Sequence, residues 1–211
     1  PVCTGTTGLS SSTLTVKPGE GPIVCTYTNT RVQRSLTLKK TWVNGKPGDA
    51  VTATTTGLAN NATVSSTADA EGDNTSTGNA VSNVAGAVVT LPAEQFTTGS
   101  QANYTTTVAC VGATLSGSTP GSTFTMPDGD VTCTYTNTRK SATLQFVNVW
   151  INAVVGDSIN DTANGIANSA GVALGSTANA ANETDFGPVV TVYAGEVGAL
   201  LQGAVTGSGS T

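Results

Sequence analysis

Four cysteines carry the plainest chemistry in this chain, because they fall into two matched pairs. Cys3 and Cys25 lie 22 residues apart, Cys110 and Cys133 lie 23 apart, and each second cysteine opens the string Cys-Thr-Tyr-Thr-Asn-Thr-Arg. Zinc sites favour a two-residue gap between neighbouring cysteines, and the chain has no histidine to complete one. The repeated wide spacing instead predicts two disulfides, Cys3–Cys25 and Cys110–Cys133, and hence an oxidising compartment. Four buried free thiols are the alternative, but they give no reason for the spacing to recur. Without histidine, Ser-His and Cys-His nucleophile pairs are excluded, and no pair of carboxylates stands out as a glycosidase would require. The chain is therefore read as no enzyme, with no cofactor.

Two acidic stretches bear on metal binding. Asp69, Glu71 and Asp73 alternate like the start of a calcium loop, and Asp157 with Asp161 forms a second group. The distal bidentate glutamate is missing, so a solvated acidic loop is the preferred reading. Asn-X-Ser/Thr triplets begin at Asn61, Asn74, Asn103, Asn160 and Asn182, as chance provides in so threonine-rich a chain.

The elements that position these groups follow from composition and repetition. Only 10% of the 211 residues are charged, against roughly a quarter in ordinary globular domains. Hydroxyls and amides must cover the surface, and abundant threonine and valine favour extended backbone. A net charge of −5 with no basic cluster argues against nucleic acid and anionic membrane surfaces. No apolar run reaches the ~18 residues needed to span a bilayer, so no membrane insertion is expected. Neither is a signal peptide visible, and a mature, exported segment is the simplest account.

Shifted by 108 residues, the chain matches itself. Cys25, Tyr27, Asn29 and Arg31 fall on Cys133, Tyr135, Asn137 and Arg139, while Trp42 meets Trp150 and Asp49 meets Asp157. A period of that size is a whole domain, so the chain is a tandem array of modules. Period-2 alternation puts Leu36, Leu38, Lys40 and Trp42 on one strand face. Further strands are expected from Val51 and at 62–67, 87–91, 102–110, 122–126 and 131–138, with Gly/Pro/Asn turns between them. About seven short strands per hundred residues predict an all-β fold of tandem Ig-like or prealbumin-like antiparallel β-sandwiches. Residues 35–140 read as one complete module. Residues 1–34 read as the C-terminal part of a preceding one, and 141–211 as the N-terminal part of a following one. Either further chain completes the partial sandwiches, or residues 1–34 close 141–211 of a neighbouring copy by strand addition. Trp42 and Trp150 are read as core anchors rather than as a sugar platform.

The segments Leu38-Lys-Lys-Thr-Trp42-Val-Asn-Gly, Thr90-Leu-Pro-Ala-Glu94, Tyr104 and Cys133-Thr-Tyr-Thr-Asn137-Thr-Arg resemble bacterial surface modules of the CnaB, or SpaA-like prealbumin-fold, type. That resemblance implies a stalk or giant adhesin shaft on the bacterial cell surface or in secreted matrix, with further copies of itself as partners. An adhesive module that recognises a glycan or host protein through its loops is the alternative. The resemblance also implies an amide cross-link between a lysine on the first strand and an asparagine on the last, assisted by an acid. Here that set is Lys40, Asn137 and Glu94.

A lysine amine attacks an amide only when neutral, which burial favours, and a buried carboxylic acid can polarise the asparagine carbonyl and carry the proton to departing ammonia. Lys39 has the wrong parity for this role. At the 108-residue shift Lys40 meets Asn148 and Glu94 meets Gln202, so both charged members vanish together. The second copy reads as shorter between Gly165 and Val189, which makes the Gln202 match depend on where the gap falls. Ordinary surface residues, or a plain buried ion pair, are the other readings of Lys40 and Glu94.

Overall fold

A computed structural model describes residues 1–69, 72–168 and 170–207. The chain is nearly all β and divides into two compact units, Pro1–Gln33 and Arg34–Thr211.

In the first unit, β1 (Val2–Thr4) pairs antiparallel with β4 (Val24–Thr26), which places Cys3 opposite Cys25 in a disulfide. Between them β2 (Leu9–Ser10) and β3 (Thr13–Leu14) form a small hairpin. Glu20 ties the loops together, accepting hydrogen bonds from the backbone of Lys17 and Thr7 and from the Thr6 hydroxyl. Those donors, the Lys17 amide foremost, hold its carboxyl below the usual range.

The second unit opens with a complete sandwich. Its elements are β5 (Gln33–Val43), β6 (Ala50–Thr54), β7 (Thr63–Thr67), β8 (Thr75–Thr77), β9 (Val81–Val84), β10 (Val88–Thr90), β11 (Gln95–Thr98), β12 (Tyr104–Val111), β13 (Thr123–Thr125) and β14 (Val131–Arg139). One sheet runs β12-β14-β5-β8, with β9 also on β5; β11-β6-β7 and the β10–β13 pair face it. The inward positions of β5 and β14 alternate as the period-2 pattern requires, burying Leu36, Leu38, Val131, Cys133 and Tyr135 against Val64, Val89, Leu91 and Phe124. Trp42 anchors a second cluster with Val51 and Tyr104, and its indole N–H donates to Ser66. Cys110 and Cys133, opposite one another on β12 and β14, form the second disulfide.

The fold is an antiparallel sandwich with one departure from expectation. β5 and β14, the first and last strands of the module, are parallel neighbours, Leu38 beside Cys133 and Asn137 beside Trp42. Such a pair needs a long crossover, and here the rest of the module provides it.

The remaining strands are β15 (Ser141–Leu144), β16 (Val147–Trp150), β17 (Ser158–Asn164), β18 (Val172–Thr177), β19 (Glu183–Phe186), β20 (Val190–Tyr193) and β21 (Ala199–Leu201). They repeat the N-terminal part of a module: Trp150 donates to Ser176 as Trp42 does to Ser66. The core is much poorer, split between a Trp150 cluster and one around Ala163, Ile166 and Val172. Among the described residues of the second unit, β15 and β16 have a strand partner on one side only, β20 and β19. Where Leu36, Leu38 and Lys40 are fully buried, their counterparts Leu144, Phe146 and Asn148 are half-buried. Val149, Phe186 and Leu200 are 58%, 67% and 71% exposed.

Candidate functional site

Lys40 projects inward from β5 because it shares parity with Leu36, Leu38 and Trp42, and its side chain is wholly buried. Its ammonium sits 3.1 Å from Glu94 Oε1 and donates a 3.2 Å hydrogen bond to Oε2. The Trp42 ring lies beneath it, 4.6 Å from the ammonium to the ring centroid. Glu94 belongs to the segment between β10 and β11 rather than to a strand. That segment is pinned by the Tyr135 hydroxyl, which donates to the Pro92 carbonyl at 2.9 Å. The surface reading of this pair is excluded, since the Glu94 side chain is only 1% exposed.

Asn137 is also fully buried. On β14 it stands beside Trp42, while Lys40 stands beside Tyr135. Lys40 and Asn137 are thus diagonal neighbours on one face of adjacent strands, within reach of a long side chain. The Thr106 hydroxyl, opposite Asn137 on β12, donates to Asn137 Oδ1 at 2.6 Å, and the Asn137 Nδ2 is buried without a hydrogen-bond partner. A hydroxyl therefore polarises the carbonyl, while the amide N–H groups have no acceptor. Burial pulls the Lys40 amine down to about 8, against the opposing pull of Glu94. A substantial neutral fraction is therefore present at mildly alkaline pH.

Thr106 and Trp42 were not picked out as parts of this site from the sequence. The parity of β12 places Thr106 against Asn137, but only the register of the two strands reveals it.

The second copy lacks this arrangement. Asn148 donates to Ser176 instead, and the Ser158–Thr206 bridge repeats the Ala50–Thr98 register, so Gln202 takes the place of Glu94. Near the other end of that half-sandwich, Asp157 accepts from the Val154 amide while its Oδ1 is buried without a hydrogen-bond partner. Its counterpart Asp49 receives the Tyr104 hydroxyl at 2.6 Å, and burial foremost, then this bond, raises that phenol's pKa. A cleft of about 210 Å³, lined by Phe146, Val147, Leu200, Leu201 and Gln202 among others, opens into the half-sandwich.

Of the acidic residues considered for calcium, Asp69 caps the amide of Gly72, Asp73 accepts from the amide of Asn44, and Asp161 accepts from Gly203. Glu71 lies outside the described residues, among which no three His, Cys, Asp or Glu side chains cluster as a metal site. No helix among them is long and apolar enough to cross a membrane. Comparison with protein-family models, curated proteins and solved structures finds no match to this chain.

Proposed function

We propose that this chain is a structural repeat of an extracellular bacterial fibre, in which residues 1–33 of one copy complete the half-sandwich 141–207 of the next. One observation carries the reading. The string Cys-Thr-Tyr-Thr-Asn-Thr-Arg occurs twice, and its tyrosine is 0% exposed in β14 as Tyr135 but 74% exposed in the first unit as Tyr27. A segment whose twin is a central core strand is suited to the same role wherever a matching gap exists. β15 and β16 offer that gap. By the register of β14 on β5, the donor's Cys25, Tyr27 and Asn29 would lie beside Phe146, Asn148 and Trp150. Tyr27 would then enter the cleft bounded by Phe146 and Leu200.

The register is tested by mixing two single variants, Thr26→Cys and Val147→Cys, which correspond to the Thr134 and Lys39 pair of the complete module. Adjacent strands bring Cα atoms within disulfide range, so an intermolecular disulfide is expected between the two proteins. Gln145→Cys, two positions out of register, should trap much less. Cross-linking only within a double variant at high dilution would mean closure inside one molecule and would refute fibre growth.

Within the complete module, Lys40 Nζ would attack Asn137 Cγ and displace Nδ2. The new Nζ–Cγ amide forms as Cγ–Nδ2 breaks, and Glu94 relays the lysine proton to Nδ2, which leaves as ammonia. The buried triad, the polarised carbonyl and the depressed lysine pKa support this step. A closed loop of nearly a whole module is worth on the order of 4–5 kcal/mol by chain entropy. Intact mass should fall by about 17 Da, the mass of ammonia, beyond the loss from disulfides. On refolding at different pH, the rate should rise about fiftyfold from pH 6 to 8 and then level off, following the neutral amine of a lysine titrating near 8. A rate flat across that range would rule out the amine as nucleophile.

A further inference from the structure

Where the complete module meets the half-sandwich, a cavity of about 390 Å³ is lined by Lys46, Pro47, Arg139, Asn168, Glu196 and Val197, with glycine backbone as the remainder. Arg139 ends β14 on its inward parity and is only 4% exposed. Its Nε donates to the Ala194 carbonyl at 2.8 Å, and Nη1 donates to Asn168 Oδ1 at 3.3 Å. The guanidinium lies over Tyr193, 5.5 Å from the ring centroid. Nη2 is buried with no hydrogen-bond partner.

Among the described residues Arg139 forms no ion pair, and neither does Lys46, whose ammonium donates to the Gly195 carbonyl at 3.1 Å. Glu196, on the same cavity wall, forms no close ion pair with either among the described residues. Its two oxygens already accept from the amides of Ala167, Asn168 and Tyr193. A desolvated cation without a facing anion is unfavourable, and here the side chains of Arg139 and Lys46 line the same cavity. Two cations on one cavity wall are suited to an anionic ligand such as a carboxylate.

The space exceeds what a bare carboxylate fills and is at the scale of small-ligand pockets. Pro47 and Val197 offer apolar surface to a ring face, and Asn168 with the glycine backbone offers partners for hydroxyls. We propose that this junction binds a single acidic sugar residue of the hexuronic-acid class, with its carboxylate facing the Arg139 guanidinium and Lys46 Nζ. The site depends on neither strand exchange nor the lysine–asparagine amide.

Titrating the full chain with D-glucuronate, followed by amide shifts of Gly195 and Asn168 in NMR, tests it. Saturable binding is expected, weakening as salt is raised because Lys46 is exposed. D-glucose should not bind, and acetate and N-acetyl-glutamate should bind at least about tenfold more weakly. Lys46→Gln should weaken glucuronate by about tenfold without changing the melting temperature, and Arg139→Gln should abolish binding. Because loss of buried Arg139 can also unfold the module, the Lys46 variant is the decisive one. No binding of glucuronate, or unaltered binding by Lys46→Gln, overturns the site. Equal binding of acetate or N-acetyl-glutamate overturns the sugar assignment.

Discussion

Replacing Lys40 with methionine is expected to lower the unfolding free energy by about 3–5 kcal/mol, because it strands a buried carboxylate. Glu94 has no other cation within ion-pairing distance among the described residues, and its side chain is as buried as that of Lys40. In an Asn137→Ala background, where no amide can form, the double variant Lys40→Met/Glu94→Leu should recover most of the loss that Lys40→Met causes there, since apolar groups of similar volume commonly replace a buried ion pair without penalty. Urea denaturation of the three proteins measures the coupling. If the double variant is as unstable as the single one, the two side chains do not act as a pair. Asn137→Ala separates the ion pair from the amide. It keeps Lys40 and Glu94 together but removes the electrophile, so it should lock the intact mass at the unlinked value.

The twin tyrosines should respond to the same substitution in opposite ways. Tyr135→Ala empties a fully buried position and releases the Pro92 segment, at a cost of about 3–5 kcal/mol to the complete module. Tyr27→Ala, at a 74% exposed position, should leave the melting of that module unchanged. Self-association measured by sedimentation should nevertheless weaken by at least about thirtyfold, because a buried tyrosine is a common interface hot spot. Unchanged sedimentation of the Tyr27 variant would remove the donor role assigned to the first unit.

Much of the fold was legible because the decisive residues repeat or alternate. The cysteine spacing identified both disulfides, and period-2 patterning turned Lys40 into the core beside Leu38 and Trp42. β8, at Thr75–Thr77, was not anticipated, because a short strand of hydroxyl residues has no apolar alternation to reveal it. β9 and β11 were missed as well, being four-residue strands of mixed polarity. The parallel pairing of β5 with β14 could not be read either, since periodicity fixes which face a side chain takes and not which strand lies alongside. Arg139 carried a signal in its recurrence with Arg31, but only folding shows that one of its nitrogens lacks a partner. Glu94 was identified as an acid, yet its position before β11 depends on the Tyr135–Pro92 contact between elements far apart in sequence.

The β5–β14 ladder has a mechanical consequence. The chain enters the module at the start of β5 and leaves at the end of β14, and eight residue pairs from Leu36–Val131 to Val43–Thr138 lie between those points. Tension applied to the two ends slides these strands past one another lengthwise, so the rungs of the ladder resist together in shear. A hairpin pulled from its open end instead unzips one rung at a time. Forced unfolding is governed by the barrier rather than by equilibrium stability, so even before the Lys40–Asn137 amide forms, a module of modest stability built this way would stretch little under load.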